Sequence, residues 1–425
     1  MTQISYYRGG DPEALFRRVS PTAAVSEAVG AIVDAVRLRG DEALLEYCEK
    51  FDGGRPESPE LPKEEWYALA DQADPKLVAV MERAAENIRA FHSMQRREGF
   101  ELSQPGGIRL GQRVLPLDRA ALYIPGGTAA YPSTVLMNAI PAKVAGVREI
   151  IMTSPAKGGQ MNPDILAAAR IAGVDRVFRM GGAHAVAALA YGTESVPRAD
   201  KIVGPGNAYV AEAKRQIFGQ AGIDMIAGPS EILIIADSGS DPTRVAADLL
   251  SQAEHDTDAS ALLLTDSEAL AKAVAQEVEK QLASLPREAI ARASMEENGR
   301  IIVTENLEQA VSLSNLWAPE HLELCVEDAF SLLPEIRHAG SVFLGRSTAE
   351  AIGDYWAGCN HTLPTGGSAR YASPLSVDDF VKKTQHIYYS PEAAAAAAED
   401  IALFARREGL EAHARSALKR KEGQA

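Results

Sequence analysis

The chain has 425 residues, 46% of them hydrophobic and 24% charged, which is ordinary globular usage and excludes disordered and fibrous classes. Acidic residues outnumber basic ones 58 to 43, a formal net charge of −15, the wrong sign for coating nucleic acid or an anionic membrane. No apolar run approaches the ~18 residues of a membrane span, the start has no apolar signal core, and Cys48, Cys325 and Cys359 are widely spread, so a reducing, cytoplasmic setting is expected.

At ~150 residues per domain the length predicts two to three domains. The first hundred residues read as helical. Apolar residues recur at helical spacing through Ala24, Val25, Val29, Ile32, Val33 and Val36, ending near Gly40. A second pattern runs from Leu44 to Phe51 and stops at Gly53-Gly54; a third runs from Val78 to Phe91 after Pro75. From about residue 108 short strands alternate with helices. The strand runs are Ala120–Ile124, Ile150–Thr153, Val177-Phe178, Ile202-Val203, Ile232–Ile235, Leu262–Leu264, Ile301–Val303 and Val342–Leu344. Such alternation predicts parallel sheets flanked by helices, and two sheets fit the length better than one. After residue 380 the pattern is helical again, with Pro391 opening an alanine-rich helix and Gly409 separating it from a last one. This tail is too short for its own core and is expected to dock on the rest of the chain or on a second subunit.

Several segments could carry chemistry. Glycine turns at Tyr123-Ile124-Pro125-Gly126-Gly127, Gly181-Gly182-Ala183-His184 and Gly204-Pro205-Gly206-Asn207 each follow a strand and precede a helix. Taken singly they read as tight turns; taken together they put a nucleotide site on an equal footing. In the helix opened by Pro242, Val245, Leu249 and Gln252 share one buried stripe, and His255 follows at i+3. A cation at the negative end of the helix dipole would satisfy Gln252 and His255; so would backbone carbonyls. Glu320-His321, after Pro319, offers two proton-transfer groups, although neighbours on a regular strand point to opposite faces. The Gly353–Gly367 stretch, with Asp354 and His361, reads as a glycine-rich ligand loop. Cys359 lacks an activating signature and is taken as a bystander. His92, His338 and His386 are expected to be structural.

Together these segments resemble the histidinol dehydrogenase family. The runs that carry the resemblance are Tyr123–Gly127, Gly204–Ala208, Gly228-Pro229-Ser230-Glu231, Asp248–His255, Pro319–Leu322, Gly353-Asp354 through Asn360-His361, and Glu408–His413, in order along nearly the whole chain. The resemblance implies an α/β fold of two Rossmann-like parallel-sheet domains, aldehyde-dehydrogenase-like, with helical N- and C-terminal extensions. It implies an extension over 1–20 and a first α/β domain over 21–120 and 232–378 carrying the catalytic and metal residues. A second, NAD-binding domain over 121–231 and a helical tail over 379–425, docking on the partner subunit, complete the expected division.

The activity implied is oxidation of L-histidinol to L-histidine by NAD through an aldehyde, in a cytoplasmic homodimer with a shared site, with neither nucleic acid nor membrane as partner. One Zn2+ per subunit would be held by Gln252, His255, Asp354 and His413. His321 would take the alcohol proton and Glu320 would activate water. Ser230, His361 and Glu408 match further substrate contacts, alongside Gln252, His255, His321, Asp354 and His413. Tyr123, His184 and Asn207 match cofactor contacts. The family pattern has glutamine where His184 stands; imidazole still offers one donor and one acceptor. The alternatives are a related zinc-dependent NAD dehydrogenase acting on another small alcohol, such as a sulfonated diol, and a non-catalytic metal- and nucleotide-binding protein.

Overall fold

The computed structural model describes residues 4–9, 11, 15–16, 23–126, 131–156 and 160–421. The chain begins with β1 (Ile4–Tyr6), followed by α1 (Ser26–Arg39), α2 (Asp41–Phe51), β2 (Glu60–Leu61), α3 (Lys63–Ala70) and α4 (Pro75–Ser93). Next come β3 (Phe100–Gln104), β4 (Ile108–Pro116) and β5 (Arg119–Tyr123), then α5 (Pro132–Ala145), β6 (Glu149–Thr153), α6 (Pro163–Ala172) and β7 (Arg176–Phe178). The alternation continues through α7 (Gly182–Tyr191), β8 (Lys201–Val203), α8 (Ala208–Ile217), β9 (Gly222–Ile223), β10 (Glu231–Ala236), α9 (Pro242–Ala253) and β11 (Ser260–Thr265). After α10 (Glu268–Leu282) and α11 (Glu288–Glu297) come β12 (Arg300–Val303), α12 (Leu307–Trp317), β13 (His321–Cys325), α13 (Ala329–Leu332), β14 (Ser341–Leu344) and α14 (Glu350–Tyr355). The chain closes with β15 (Val381–Tyr388), α15 (Pro391–Arg407) and α16 (Glu411–Leu418).

The helices start where the sequence offers a cap. Asp241 accepts from the Thr243 amide ahead of Pro242, and Ser390 accepts from the Ala393 amide ahead of Pro391. Strands β10 and β11 are buried along their whole length, as parallel strands covered on both faces must be.

The chain divides into two compact units, one made of residues 1–95 and 117–380, the other of 96–116 and 381–425. The first unit holds two six-stranded sheets, ordered β1-β12-β11-β10-β13-β14 and β2-β7-β6-β5-β8-β9. Pairing is parallel throughout except where β2 runs antiparallel to β7. The second unit holds a three-stranded antiparallel sheet, β15-β4-β3, with α15 and α16.

The expected domain boundaries need correction. Residues 26–93 pack chiefly on the β5-centred sheet: Val29, Val33, Leu44 and Cys48 share a core with α7 and α8, while Trp66, Met81 and Ile88 share one with α5 and α6 and, from the 232–378 segment, with Leu375. The pairing of β2 with β7 anchors this segment there. Within the expected extension over 1–20, Ile4–Tyr6 is a strand paired with β12 and most other residues lie outside those described. The tail over 379–425 is not wholly helical, because Val381–Tyr388 forms the strand β15. Residues 127–130, which include Gly127, also lie outside the described set.

Candidate active site

A cavity of about 490 Å³ opens in the first unit, lined by residues at the carboxyl ends of β5 and β8 and at the amino ends of β10 and β13. The chain runs from β5 outward to β6 and β7, then returns to β8 on the other side of β5. That reversal opens the crevice in which doubly wound sheets bind ligands. Pro125 and the Gly204–Asn207 turn form this wall.

The opposite wall carries the ionisable side chains. Ala318 caps α12 with φ 52°, a left-handed conformation uncommon outside glycine, and Pro319 follows. The regular strand begins only at His321, so Glu320 escapes the strand alternation and both residues line the cavity. The main chain of Glu231, the first residue of β10, clasps the pair. Its N–H donates to Glu320 Oε2 at 2.9 Å and its carbonyl oxygen lies 3.0 Å from His321 Nδ1. A proton on Nδ1 therefore has a partner, and Nε2 is the nitrogen free to accept one. Nε2 is buried without a hydrogen bond, 3.8 Å from Glu350 Oε1 and 3.7 Å from Asp354 Oδ1.

Burial pushes the Glu320 carboxyl up to about 8. Burial opposes charge on His321, but the carboxylates of Glu350, Glu320 and Asp354 outweigh it and hold the imidazole well above its ordinary range. Asp354 moves the other way. Burial would raise it, but the nearby imidazoles of His321, His361 and His255 prevail and keep it below the usual value.

Gln252, Asp354 and His255 line the same cavity. Gln252 is 1% exposed near the end of α9, and His255 follows just past it, its Nδ1 3.3 Å from the Gln252 carbonyl oxygen. The end of the Gln252 side chain lies 2.8 and 2.9 Å from the two oxygens of Glu350, two acceptors that only an amide nitrogen can satisfy; with the amide turned that way, nitrogen donates to Glu350 and Oε1 is the atom available to a cation. Glu350 and Asp354 lie at i and i+4 of α14, on one face. The stretch read as a loop is helical at Asp354, and Gly353 lets that helix sit directly on the Phe343 ring, where a Cβ would collide. One donor atom each from His321, Glu350 and Asp354 falls within 4.8 Å of the others. Together with His255 and Gln252, which line the same cavity, these are nitrogen and oxygen donors of kinds that zinc accepts.

His361 is fixed by its neighbours. Asn360 donates to the Met137 carbonyl at 2.6 Å, Thr362 donates to Asn138 Oδ1 at 3.0 Å, and His361 Nε2 itself meets Thr134 Oγ1 at 3.3 Å. His92 supports this loop, lying 3.4 Å from the Asn360 amide. Burial holds His361 below its ordinary range and raises the Cys359 thiol, which fits a bystander.

On the crevice wall Asn207 caps α8, accepting from the amides of Tyr209 and Val210. Tyr123 and His184 are buried and are not among the cavity-lining residues. The Tyr123 hydroxyl accepts from the Gly182 N–H at 3.0 Å, and His184 Nε2 lies 2.9 Å from Asp52 Oδ2. Ser230 lines the cavity, whereas Glu408 and His413 belong to the second unit, at the end of α15 and on α16. Glu350 is the residue that sequence reasoning missed. Its signal was the acidic pair at i, i+4 with Asp354.

The family model described as Histidinol dehydrogenase matches residues 15–421. A histidinol dehydrogenase of Syntrophotalea carbinolica is 56% identical over 402 residues, covering 94% of this chain and 93% of the relative. One of Geobacillus kaustophilus is 52% identical and covers 97% of this chain and 98% of its own. The crystal structure of histidinol dehydrogenase from Elizabethkingia anophelis superposes with a TM-score of 0.92 at 37% identity, over 99% of this chain and 97% of that one. With matches that span the chain from end to end, this protein belongs to the histidinol dehydrogenase family.

Proposed function

We propose that the protein oxidises L-histidinol to L-histidine in two successive NAD+-dependent steps through L-histidinaldehyde. The observation that carries this reading is the Glu320–His321 pair, held by one backbone residue so that both side chains face a single cavity. An alcohol-to-acid oxidation needs a base for the alcohol proton and a second group to activate water against the aldehyde.

The carboxylates around His321 hold it protonated when they are uncompensated; with their charge offset by a bound cation the imidazole is neutral, and Nε2, accepting because Nδ1 faces a carbonyl, takes the hydroxyl proton while hydride passes to NAD+. Glu320 then removes a proton from water as its oxygen adds to the aldehyde carbon, and the hydrate loses a second hydride and its protons to give the carboxylate. In sum, one histidinol, two NAD+ and one water give histidine, two NADH and three protons. A carboxyl raised by burial exchanges protons near neutral pH, which suits Glu320 to this task.

Gln252, His255 and Asp354, with His413 as the fourth ligand, would hold a Zn2+ ion, one per subunit. Bound there, zinc supplies positive charge and orientation for the substrate's imidazole and amine. Ser230, His361 and Glu408 complete the substrate contacts, and Asn207, Tyr123 and His184 belong to the nucleotide side. His413 and Glu408 reach the site across a homodimer. No helix among the described residues is long and apolar enough to cross a membrane, and the reading places the enzyme in the cytoplasm. The test is stoichiometric: purified, zinc-loaded protein reduces two NAD+ per histidinol consumed, and one NADH per histidinol with aldehyde accumulating overturns it.

A further inference from the structure

Lys214 carries a charge into the interior. It is 1% exposed on α8, forms an ion pair with Asp224, and donates from Nζ to the carbonyl oxygen of Gly204 at 3.0 Å. Asp224 answers on the other side. Its Oδ2 accepts from the Gly204 N–H at 2.7 Å, and its Oδ1 from the Met225 N–H at 2.7 Å. Two buried, oppositely charged side chains thus hold both polar groups of a single backbone residue. Gly204 is also conformationally demanding, with φ +118° and a Cβ direction blocked by the Tyr123 carbonyl. It opens the Gly204–Asn207 turn, in the crevice between β5 and β8.

Burying two charges opposes stability, and an apolar pair of similar volume would serve packing equally well. What Lys214 and Asp224 add is orientation: both hydrogen bonds point at the turn. We propose that Lys214 and Asp224 are positioning residues for the dinucleotide, clamping the Gly204–Asn207 turn in the shape that receives NAD+. This rests on the reading that NAD+ occupies that crevice.

The test uses the zinc-loaded, full-length protein and two variants. K214M/D224L refills the volume without charge, and K214R keeps the charge while moving the donor. Thermal unfolding, zinc content, and calorimetric Kd values for NAD+ and for histidinol are measured on each. In whichever variants unfold cooperatively, the NAD+ Kd rises roughly tenfold, the weight of about one hydrogen bond, while zinc content and the histidinol Kd do not move. An unchanged NAD+ Kd in a folded variant overturns the clamp, and so does equal weakening of both ligands, which marks a purely structural pair. N207A separates this from the reading beneath it. If N207A weakens NAD+ and K214M/D224L does not, only the clamp falls; if neither does, the crevice assignment falls with it.

Discussion

The two sheets of the first unit build one cavity from opposite ends. The β5-centred sheet contributes the carboxyl ends of its strands, and what it offers is largely backbone: the Gly204–Asn207 turn and the N-terminus of α8. The β10-centred sheet contributes amino ends, and what it offers is side chains: Ser230, Glu320 and His321. Its own topological reversal, between β10 and β13, follows the same rule as the first and would be expected to open a crevice at the carboxyl ends. There Arg346 instead donates to both oxygens of Asp237, at 2.7 and 2.8 Å, and Asp237 also accepts from the Glu327 N–H. The comparison teaches that a reversal point becomes a ligand site only where no side-chain pair fills it. In this sheet the chemistry moved to the end where the Glu231 main chain can hold an acid and an imidazole together.

The largest effects should come from the side-chain wall. Removing the metal with a chelator abolishes turnover, with activity restored by added zinc; full activity in protein shown by elemental analysis to be metal-free would break the assignment of Gln252, His255 and Asp354. E320Q loses a general base, worth about 10²–10⁴ in rate, and loses it from the aldehyde step alone. Stopped-flow with histidinol and with histidinaldehyde separates the two steps, and equal losses in both refute the division of labour between Glu320 and His321.

Glu350 sharpens the same wall by one shell. E350A leaves the Gln252 amide free to rotate, so zinc affinity falls by about 10–100-fold, read by competition with a fluorescent chelator. E350Q can still accept one hydrogen bond and should fall between E350A and the parent. Unchanged zinc affinity in both would show that Gln252 needs no support.

Legibility followed the same physics. Runs such as Ile232–Ile235 and Leu262–Leu264 were readable because central parallel strands are apolar on both faces, and Pro242 and Pro391 were readable because each opens a helix behind a capping side chain. The strands β3 and β15 were not, because they are largely exposed and polar and present no apolar alternation. Nor could the sequence tell which sheet α1–α4 cover, since an amphipathic stripe records that a face is buried and not against what. In the site, spacing singled out Gln252 with His255 and Glu320 with His321, but left backbone carbonyls as well as a cation to satisfy the first pair. Glu350 offered only its i, i+4 spacing from Asp354, and its contact with Gln252 depends on a helix meeting α9 across about a hundred residues of chain. Glu408 and His413 carried no local signal at all and rest on the family resemblance.

The filled reversal point gives a smaller effect of a different kind. R346M removes a charge-assisted contact, from one guanidinium nitrogen to both Asp237 oxygens, that is partly shielded from water, costing about 2 kcal/mol of stability by denaturant unfolding. KM for NAD+ and for histidinol should stay put, because this end of the β10-centred sheet faces away from the chemistry. A rise in either constant without loss of stability would mean that the two ends of the sheet are coupled.

The smallest effect lies behind the crevice wall, on the outer side of α8. Glu212 accepts from Arg215 at 2.6 and 2.7 Å and from Gln216 at 2.7 Å, and these bonds, led by Arg215, pull its carboxyl from 4.5 down to about 2 despite burial. A carboxylate whose folded pKa is depressed stabilises the fold above its unfolded value and loses that contribution as pH falls through the folded one. E212Q should therefore cost about 1 kcal/mol at pH 7, since Arg215 is half exposed and its pairing is screened. The gap to the parent should narrow only below about pH 4.5 and close near pH 2, on urea curves taken across that range. A gap constant from pH 7 to 2 would mean that Glu212 acts through packing, and that α8 is held against α1 without help from its charges.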